Sequence, residues 1–390
     1  MSFMRDEKKI IYFDNNSTTR PLNAICVSDC ACFANASSYH WLGLKSRFAL
    51  ETAREKVAAF IGARPSEIFF TSSGSEANNL AVGGVIAQFK YFAGLDNISV
   101  IMSAVEHHSV LNLSRNPAFK GVEFKIAPVD ANGVVDLHAL ESLIEPSTVL
   151  VSVMMANNET GTIMPYEKIG ALCAEKSVLF HCDAVCASAK IKYDVSRFNC
   201  DLLTVSAHKM YGPKGAACLY KKRGVTVAPM IYGGHQENDL RAGTENLEAV
   251  EGFALACEEA GRNFDANNRR YLELKTAFLE SLKSKMPDVK INGAGADTLA
   301  NTVSLSFDFK DEHEFNAFMF NLDMMGLAVS RGAACASSAS APSHVLLATG
   351  LSPLMAASAV RVSFGAENEI CETQEAVNIM RAAFELAVSA

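Results

Sequence analysis

Asp201-Leu202-Leu203-Thr204-Val205-Ser206-Ala207-His208-Lys209-Met210-Tyr211-Gly212-Pro213-Lys214-Gly215 sets an apolar, β-leaning run against a polar cluster and then a turn rich in glycine and proline. Residues 201–206 read as a strand, so His208 and Lys209 stand at its carboxyl end. A lysine there can be held out of bulk water. Desolvation and nearby positive charge then lower its pKa, and the free amine can attack a carbonyl. One use of Lys209 is to carry an aldehyde cofactor; an ordinary surface turn is the other.

Outward from this stretch the same pattern recurs. Residues 68–71 lead into Ser72-Ser73-Gly74-Ser75-Glu76, 98–103 into Glu106-His107-His108, 148–154 into Asn157-Asn158-Glu159, and 178–182 into Asp183-Ala184-Val185-Cys186. Helical patterns lie between them, one after the small-residue run 72–79 and continuing to about 92 and one over 137–144, with a further strand at 122–126. Alternating strand and helix predicts an α/β fold, a mainly parallel sheet flanked by helices, with ligands bound beyond the carboxyl ends of its strands. Ahead of it, 10–13 reads as a short strand running into the turn-forming cluster 14–19, with a helix after Pro21. An amphipathic helix over 46–61 sets Phe48, Ala53, Val57, Phe60 and Ile61 near one face and stops at Gly62.

Each polar cluster has a chemical use and a plain one. Gly74 lets the backbone approach an anion, Ser75 offers a hydroxyl, and a helix start favours phosphate; the same residues also make a helix cap. His107 is either a flat ring to stack on a cofactor or a satisfied polar side chain. Asp183, at the end of an apolar strand, needs a cationic partner, either a protonated pyridine nitrogen or a lysine or arginine.

The chain has 390 residues, 49% of them hydrophobic and 20% charged, enough for one large domain and a smaller one. A net charge of −8 argues against nucleic acid and anionic membranes as partners. Residues 1–10 lack the apolar core of a signal peptide and no run is long enough to span a bilayer, so the expected location is cytoplasmic. The 11 cysteines are scattered without a Cys-x-x-Cys pair, which suggests neither a disulfide framework nor a zinc site.

After Glu245 a long helix is expected over 248–286, then strands near 289–292, 302–307 and 327–330 and a closing helix over 369–388, a smaller α+β domain. The expected division is 15–260 for the large domain, with 1–14 and 261–390 in the small one. Within the latter, Cys335 sits in Ser330-Arg331-Gly332-Ala333-Ala334-Cys335-Ala336-Ser337-Ser338. That setting suits either an accessible thiol or a small-residue helix packed on a sheet.

Taken together, Thr71–Glu76, Glu106-His107, Asn157-Asn158-Glu159, Asp183, Ser206-Ala207-His208-Lys209 and Arg241-Ala242-Gly243-Thr244-Glu245-Asn246 resemble the cysteine desulfurases of the NifS and IscS type. These are class V, fold-type I pyridoxal 5'-phosphate enzymes, and the resemblance runs from Tyr12 to about Gly365. It implies a homodimer that takes sulfur from L-cysteine, leaves L-alanine, and passes an enzyme persulfide to an acceptor protein, such as an iron-sulfur scaffold. By the same resemblance Lys209 would anchor the cofactor, Asp183 would face the pyridine nitrogen, His107 would stack on the ring, and Asn158 would sit near the ring hydroxyl. Gly74, Ser75, Ser206 and His208 would bind the phosphate, with Thr244 reaching it from the other subunit. Cys335 would be the nucleophile, Arg361 would grip the substrate carboxylate, and His107 would carry a proton.

Three departures stand out: Cys186 where the family usually has glutamine, Ala36 where it has proline, and an end at Ala390 without the tail by which some relatives engage a scaffold. The rival readings are a selenocysteine lyase or class V aminotransferase, and a non-catalytic cofactor-bound partner protein.

Overall fold

The computed structural model describes residues 10–27, 33–332 and 342–389. After β1 (Ile11–Tyr12) come α1 (Trp41–Ile61), β2 (Ile68–Thr71), α2 (Gly74–Ala87), β3 (Ser99–Ser103), α3 (His108–Leu111), β4 (Glu123–Ala127), α4 (Leu137–Leu143), β5 (Thr148–Ser152), α5 (Tyr166–Lys176), β6 (Leu179–Asp183), β7 (Leu202–Ser206) and β8 (Ala217–Lys221). The large sheet has the order β2-β8-β7-β6-β5-β3-β4. Its strands run parallel except β8, which is antiparallel to both β2 and β7. β8 is the strand that the glycine-proline turn conceals in the sequence. Only residues 207–216 join it to β7, too few for a crossover, so the pair must be antiparallel.

Successive strand residues feed opposite layers. Ile101, Val151 and Leu203 pack with Val57 and Ile61 of α1, whereas Val100, Leu150 and Leu202 pack with Val82 and Val85 of α2. That is why the strands read as continuous apolar runs: both faces are covered.

α1 begins earlier than its apolar stripe predicts, because the ring of His40 accepts from the Gly43 N–H (3.2 Å) and caps it. It ends where Gly62 takes φ +75°, a left-handed cap that Cβ-bearing residues rarely adopt. Phe48 is 75% exposed, contrary to its expected place beside Ala53 and Val57. Five residues separate Phe48 from Ala53, a rotation that carries it off the buried stripe. α2 is shorter than predicted, its last turn loosening into a π-turn over Gln88–Phe92.

The remaining elements are α6 (Leu247–Lys285), β9 (Lys290–Asn292), β10 (Thr302–Ser306), α7 (Glu312–Met324), β11 (Leu327–Ala328), β12 (Ser330–Arg331), α8 (His344–Ala348), α9 (Pro353–Ala357), β13 (Ala359–Ser363) and α10 (Ile370–Val388). β12, β13, β10 and β9 form an antiparallel sheet, and β1 pairs in parallel with β11. Ile11 and Phe13 join Phe278, Phe307, Phe318 and Val362 in a second core. Along α6, residues as far as Ala260 pack on the first core and residues from Tyr271 on the second. Among the described residues no helix is long and apolar enough to cross a membrane.

Candidate active site

Beyond the carboxyl ends of β2, β3, β5, β6 and β7 lies a cavity of about 370 Å³. Gly74, Ser75, His107, Asn158, Asp183, His208, Lys209 and Arg361 line it, so most of the sequence-predicted site residues come together here. Ser206 lies against Gly74, while Thr244 is exposed and lines no part of this cavity. Cys335 lies outside the described residues.

One end of the cavity is built for an anion. Ser73 caps α2 by accepting from the Glu76 N–H (3.2 Å), which leaves the first amides of this 14-residue helix facing the cavity with its positive dipole end. A Cβ on Gly74 would come within 2.9 Å of Val185 Cγ2, so the close approach needs glycine. The Ser206 hydroxyl is buried with no hydrogen-bond partner among the described residues. A phosphate would supply that partner and accept the helix amides. His208 is pushed down to about 4 by burial and by the positive charges of Lys209, Lys214 and Lys190, so its ring is neutral at pH 7. The Glu76 backbone belongs to that cap, but its side chain accepts from Arg241 Nε (2.7 Å) and Ser72 N (2.9 Å), and these contacts hold it below its usual range against the cost of burial.

The cavity wall also carries Asp183, at the end of β6. It accepts from Asn78 Nδ2 (2.7 Å) and from the Val185 N–H (2.9 Å). No lysine or arginine pairs with it among the described residues, so the plain salt bridge is not what it makes. Asn78 Nδ2 also donates to Ser109 Oγ (2.8 Å), and the Ser109 N–H donates to His107 Nδ1 (3.2 Å). That contact assigns the ring proton of neutral His107 to Nε2. Burial lowers the His107 pKa, opposed by Asp183 and assisted by Lys209 and His108. Sequence reasoning missed Asn78 and Ser109. Their signal was spacing: Asn78 is one helical turn from Gly74, and Ser109 is two residues past His107.

Lys209 and Arg361 converge on the loop over 14–19, a segment that reads as an ordinary turn. Lys209 Nζ donates to the Ser17 carbonyl (2.8 Å) and to the Asn16 carbonyl. Arg361, on β13 between Ser304 and Ser330, donates from Nη2 to Asp14 Oδ1 (2.7 Å) and Ser17 Oγ (2.6 Å), and from Nη1 to the Asn158 carbonyl (3.0 Å). Thr19 Oγ1 donates to the His208 carbonyl (3.0 Å) and accepts from the Tyr211 N–H (2.7 Å). Cys186 is buried at the cavity wall. Ala36 packs on the first core, and its carbonyl accepts from Arg47 Nε (2.9 Å).

The family model described as Aminotransferase class-V matches residues 11–376. Among curated proteins, the chain is 39% identical over 366 residues to "Cysteine desulfurase IscS" of Clostridium botulinum, covering 92% of this chain and 90% of that one. It is 39% identical over 333 residues to "Cysteine desulfurase IscS" of Dictyoglomus turgidum, covering 85% and 83%. Among solved structures, "NIFS-LIKE PROTEIN" superposes with a TM-score of 0.87 at 33% identity, covering 97% of this chain and all of that one. "SspA in complex with cysteine" superposes with a TM-score of 0.76 at 31% identity, covering 90% and 98%.

Proposed function

Since this chain belongs to the class-V aminotransferases and, within them, to the NifS/IscS-type cysteine desulfurases, we propose that it takes the sulfur of L-cysteine using pyridoxal 5'-phosphate held in the cavity described above. The observation that carries this reading is the convergence of Lys209, Asp183 and Arg361 on one cavity with an anion-ready helix start. A selenocysteine lyase or aminotransferase is not favoured, since the curated relatives are named cysteine desulfurases.

The residues fit the cofactor. Lys209 would hold its aldehyde carbon. The α2 amides, Gly74, Ser75, Ser206 and His208 would hold its phosphate, with Thr244 of a second subunit completing that end. Tyr39, Trp41, Phe48 and Tyr232 are exposed large side chains that a second subunit could cover. When bound, the cofactor supplies an electron sink that lets the substrate Cα–H and Cβ–S bonds break.

Everything else falls to the chain. Asp183, fixed by Asn78 and Val185, would present a carboxylate to the ring nitrogen and keep it protonated. Lys209, as a free amine, would take the Cα proton and return one to that carbon. Arg361 and Asn158 hold the substrate carboxylate, and the planar guanidinium suits a two-pronged contact. His107, with its proton on Nε2, would stack on the ring and exchange protons with the thiol. The Cys335 thiolate would attack the substrate sulfur as the Cβ–S bond breaks, keeping the sulfur as a persulfide for an acceptor protein, while Cβ gains one proton and Cα recovers one and L-alanine leaves.

The test is to incubate the cofactor-loaded protein with L-cysteine and weigh it by mass spectrometry. A mass gain of one sulfur on Cys335 with equimolar L-alanine is expected. No adduct on the wild type, or an undiminished sulfide yield from Cys335→Ser, would remove Cys335 from this role.

A further inference from the structure

Arg361 is a buried cation, 1% exposed, that already has a carboxylate in contact. The two N–H groups of its Nη2 are taken by Asp14 Oδ1 at 2.7 Å and Ser17 Oγ at 2.6 Å. Ser17 Oγ in turn donates to Asp14 Oδ1 at 2.8 Å, so the three side chains close a ring. Nη1 donates to the Asn158 carbonyl at 3.0 Å. What remains is the second N–H of Nη1 and Nε–H, and Nε is the one guanidinium nitrogen that is buried with no partner at all among the described residues, on a side chain that lines the cavity.

A carboxylate grips a guanidinium side-on through Nε–H and the adjacent N–H of Nη2. Here only half of that edge is unpartnered. A ligand carboxylate would find Nε without a competing acceptor, but its second oxygen meets an Nη2 that is already occupied and a charge that Asp14 has already neutralised.

We propose that Asp14 is an intramolecular competitor for the substrate carboxylate, an affinity-determining residue that must yield Nη2 before the two-pronged grip closes. This rests on the reading of Arg361 as the carboxylate-holding residue. The fold allows the exchange. The Asp14 backbone is fixed by its bridge to Ser363, while its side chain is 21% exposed and can turn toward water. Ser17 can keep the guanidinium oriented meanwhile, since its oxygen accepts from Nη2 even when its own proton no longer goes to Asp14. A resident carboxylate also shields a buried cation that would otherwise stand unpaired while the site waits for a ligand. Amines that lack a carboxylate gain nothing from displacing Asp14, so the exchange discriminates by chemical class.

The test uses the cofactor-loaded protein and two probes, L-alanine and ethylamine, which share an amine and differ in the carboxylate. Binding is read by calorimetry and by the ligand-induced shift in melting temperature. Asp14→Asn keeps the shape and an acceptor oxygen but removes the charge. It is expected to bind L-alanine about tenfold more tightly, with ethylamine unchanged. Its melting temperature should be lower without ligand and should rise further with L-alanine than the wild type's does. Asp14→Ser, read on the same scale, serves where Asp14→Asn does not fold. Unchanged or weaker L-alanine binding in the variant overturns the proposal. Tighter binding in a protein whose wild type releases no sulfur from L-cysteine keeps it and overturns the proposed function instead.

Discussion

Asn78 Nδ2 donates to Asp183 Oδ2 at 2.7 Å, which ties the first turns of α2 to the end of β6. The same amide reaches Ser109, and Ser109 reaches His107, so the groups proposed to sit at the ring nitrogen and on the ring face share one support. Asn78→Ala removes a hydrogen bond to a buried carboxylate, a loss of about 2 kcal/mol. Turnover with L-cysteine should fall about thirtyfold, with KM little changed, because the support acts on the ring and not on the substrate carboxylate. Steady-state kinetics check this, and a change confined to KM would count against it.

Ser206 gives a prediction whose sign separates the empty protein from the loaded one. Its hydroxyl is buried and unpartnered among the described residues, so Ser206→Ala should leave the cofactor-free protein as stable as before or slightly more so. Binding of pyridoxal 5'-phosphate should weaken about tenfold or more, since a hydrogen bond to a charged phosphate oxygen is lost. Melting curves without cofactor and a fluorescence titration with it report the two effects separately. Destabilisation of the cofactor-free protein would mean the hydroxyl has a structural partner.

The strand ends and their polar clusters were legible because buried parallel strands are continuous apolar runs, and the change to Asp183 or His208 marks where each leaves the sheet. β8 was not legible, since Ala217–Lys221 has no long connection before it to announce a new unit. β13 was also missed as a strand, although Arg361 was singled out, because its burial is set by partners in β10 and β12 far away in the chain. The loop over 14–19 was the largest omission of function. Asp14, Ser17 and Thr19 look like turn residues, and only tertiary contact shows that they bind Arg361, His208 and Tyr211. Nothing in local sequence distinguishes a hydroxyl that closes its own turn from one that holds a distant side chain.

Glu106 sets a pH dependence of stability. It is fully buried beside His107, accepts from the Met154 N–H at 2.8 Å, and is pushed up to about 8 by burial and by Asp183, against the pull of its hydrogen bonds from Ser103 and Met154. In the unfolded chain the same carboxyl ionises near its ordinary value of 4.5. Between those values the folded state holds a proton that the unfolded state has lost, so stability falls as pH rises from about 4.5 to about 8. Glu106→Gln, which mimics the protonated form, abolishes that contribution. The variant's stability advantage over the wild type should therefore grow from pH 5 to pH 8, reaching on the order of a few kcal/mol. Denaturant titrations at several pH values measure it, and a gap that shrinks with pH would reverse the sign argued here. His208, with its pKa lowered to about 4, acts the other way: its contribution is present above its unfolded value of 6.5 and is lost as pH falls toward about 4. The comparison of Glu106→Gln with the wild type cancels that term.

Tyr211 adopts φ +66°, left-handed backbone that a tyrosine enters only at a cost, two residues after Lys209. Four contacts enforce it. Its N–H donates to Thr19 Oγ1 (2.7 Å), its carbonyl accepts from the Leu22 N–H (3.0 Å), and its hydroxyl accepts from the Ala366 N–H (2.7 Å) and bonds to the Tyr271 hydroxyl (3.1 Å). The hydroxyl therefore links the lysine turn to the chain just beyond β13, where Arg361 lies. Removing the hydroxyl and relieving the backbone are separable. Tyr211→Phe keeps the strained φ and leaves the Ala366 N–H unpaired, so it should destabilise by about 1–3 kcal/mol and lower turnover. Tyr211→Gly loses the same hydroxyl but relieves the backbone, which offsets about 1 kcal/mol of that loss. If packing of the ring decided the matter instead, glycine would be far worse than phenylalanine in stability. If the hydroxyl positions Lys209, both variants should shift the visible absorbance of the bound cofactor by a similar amount despite their different stabilities, and a shift in neither would assign Tyr211 to folding alone.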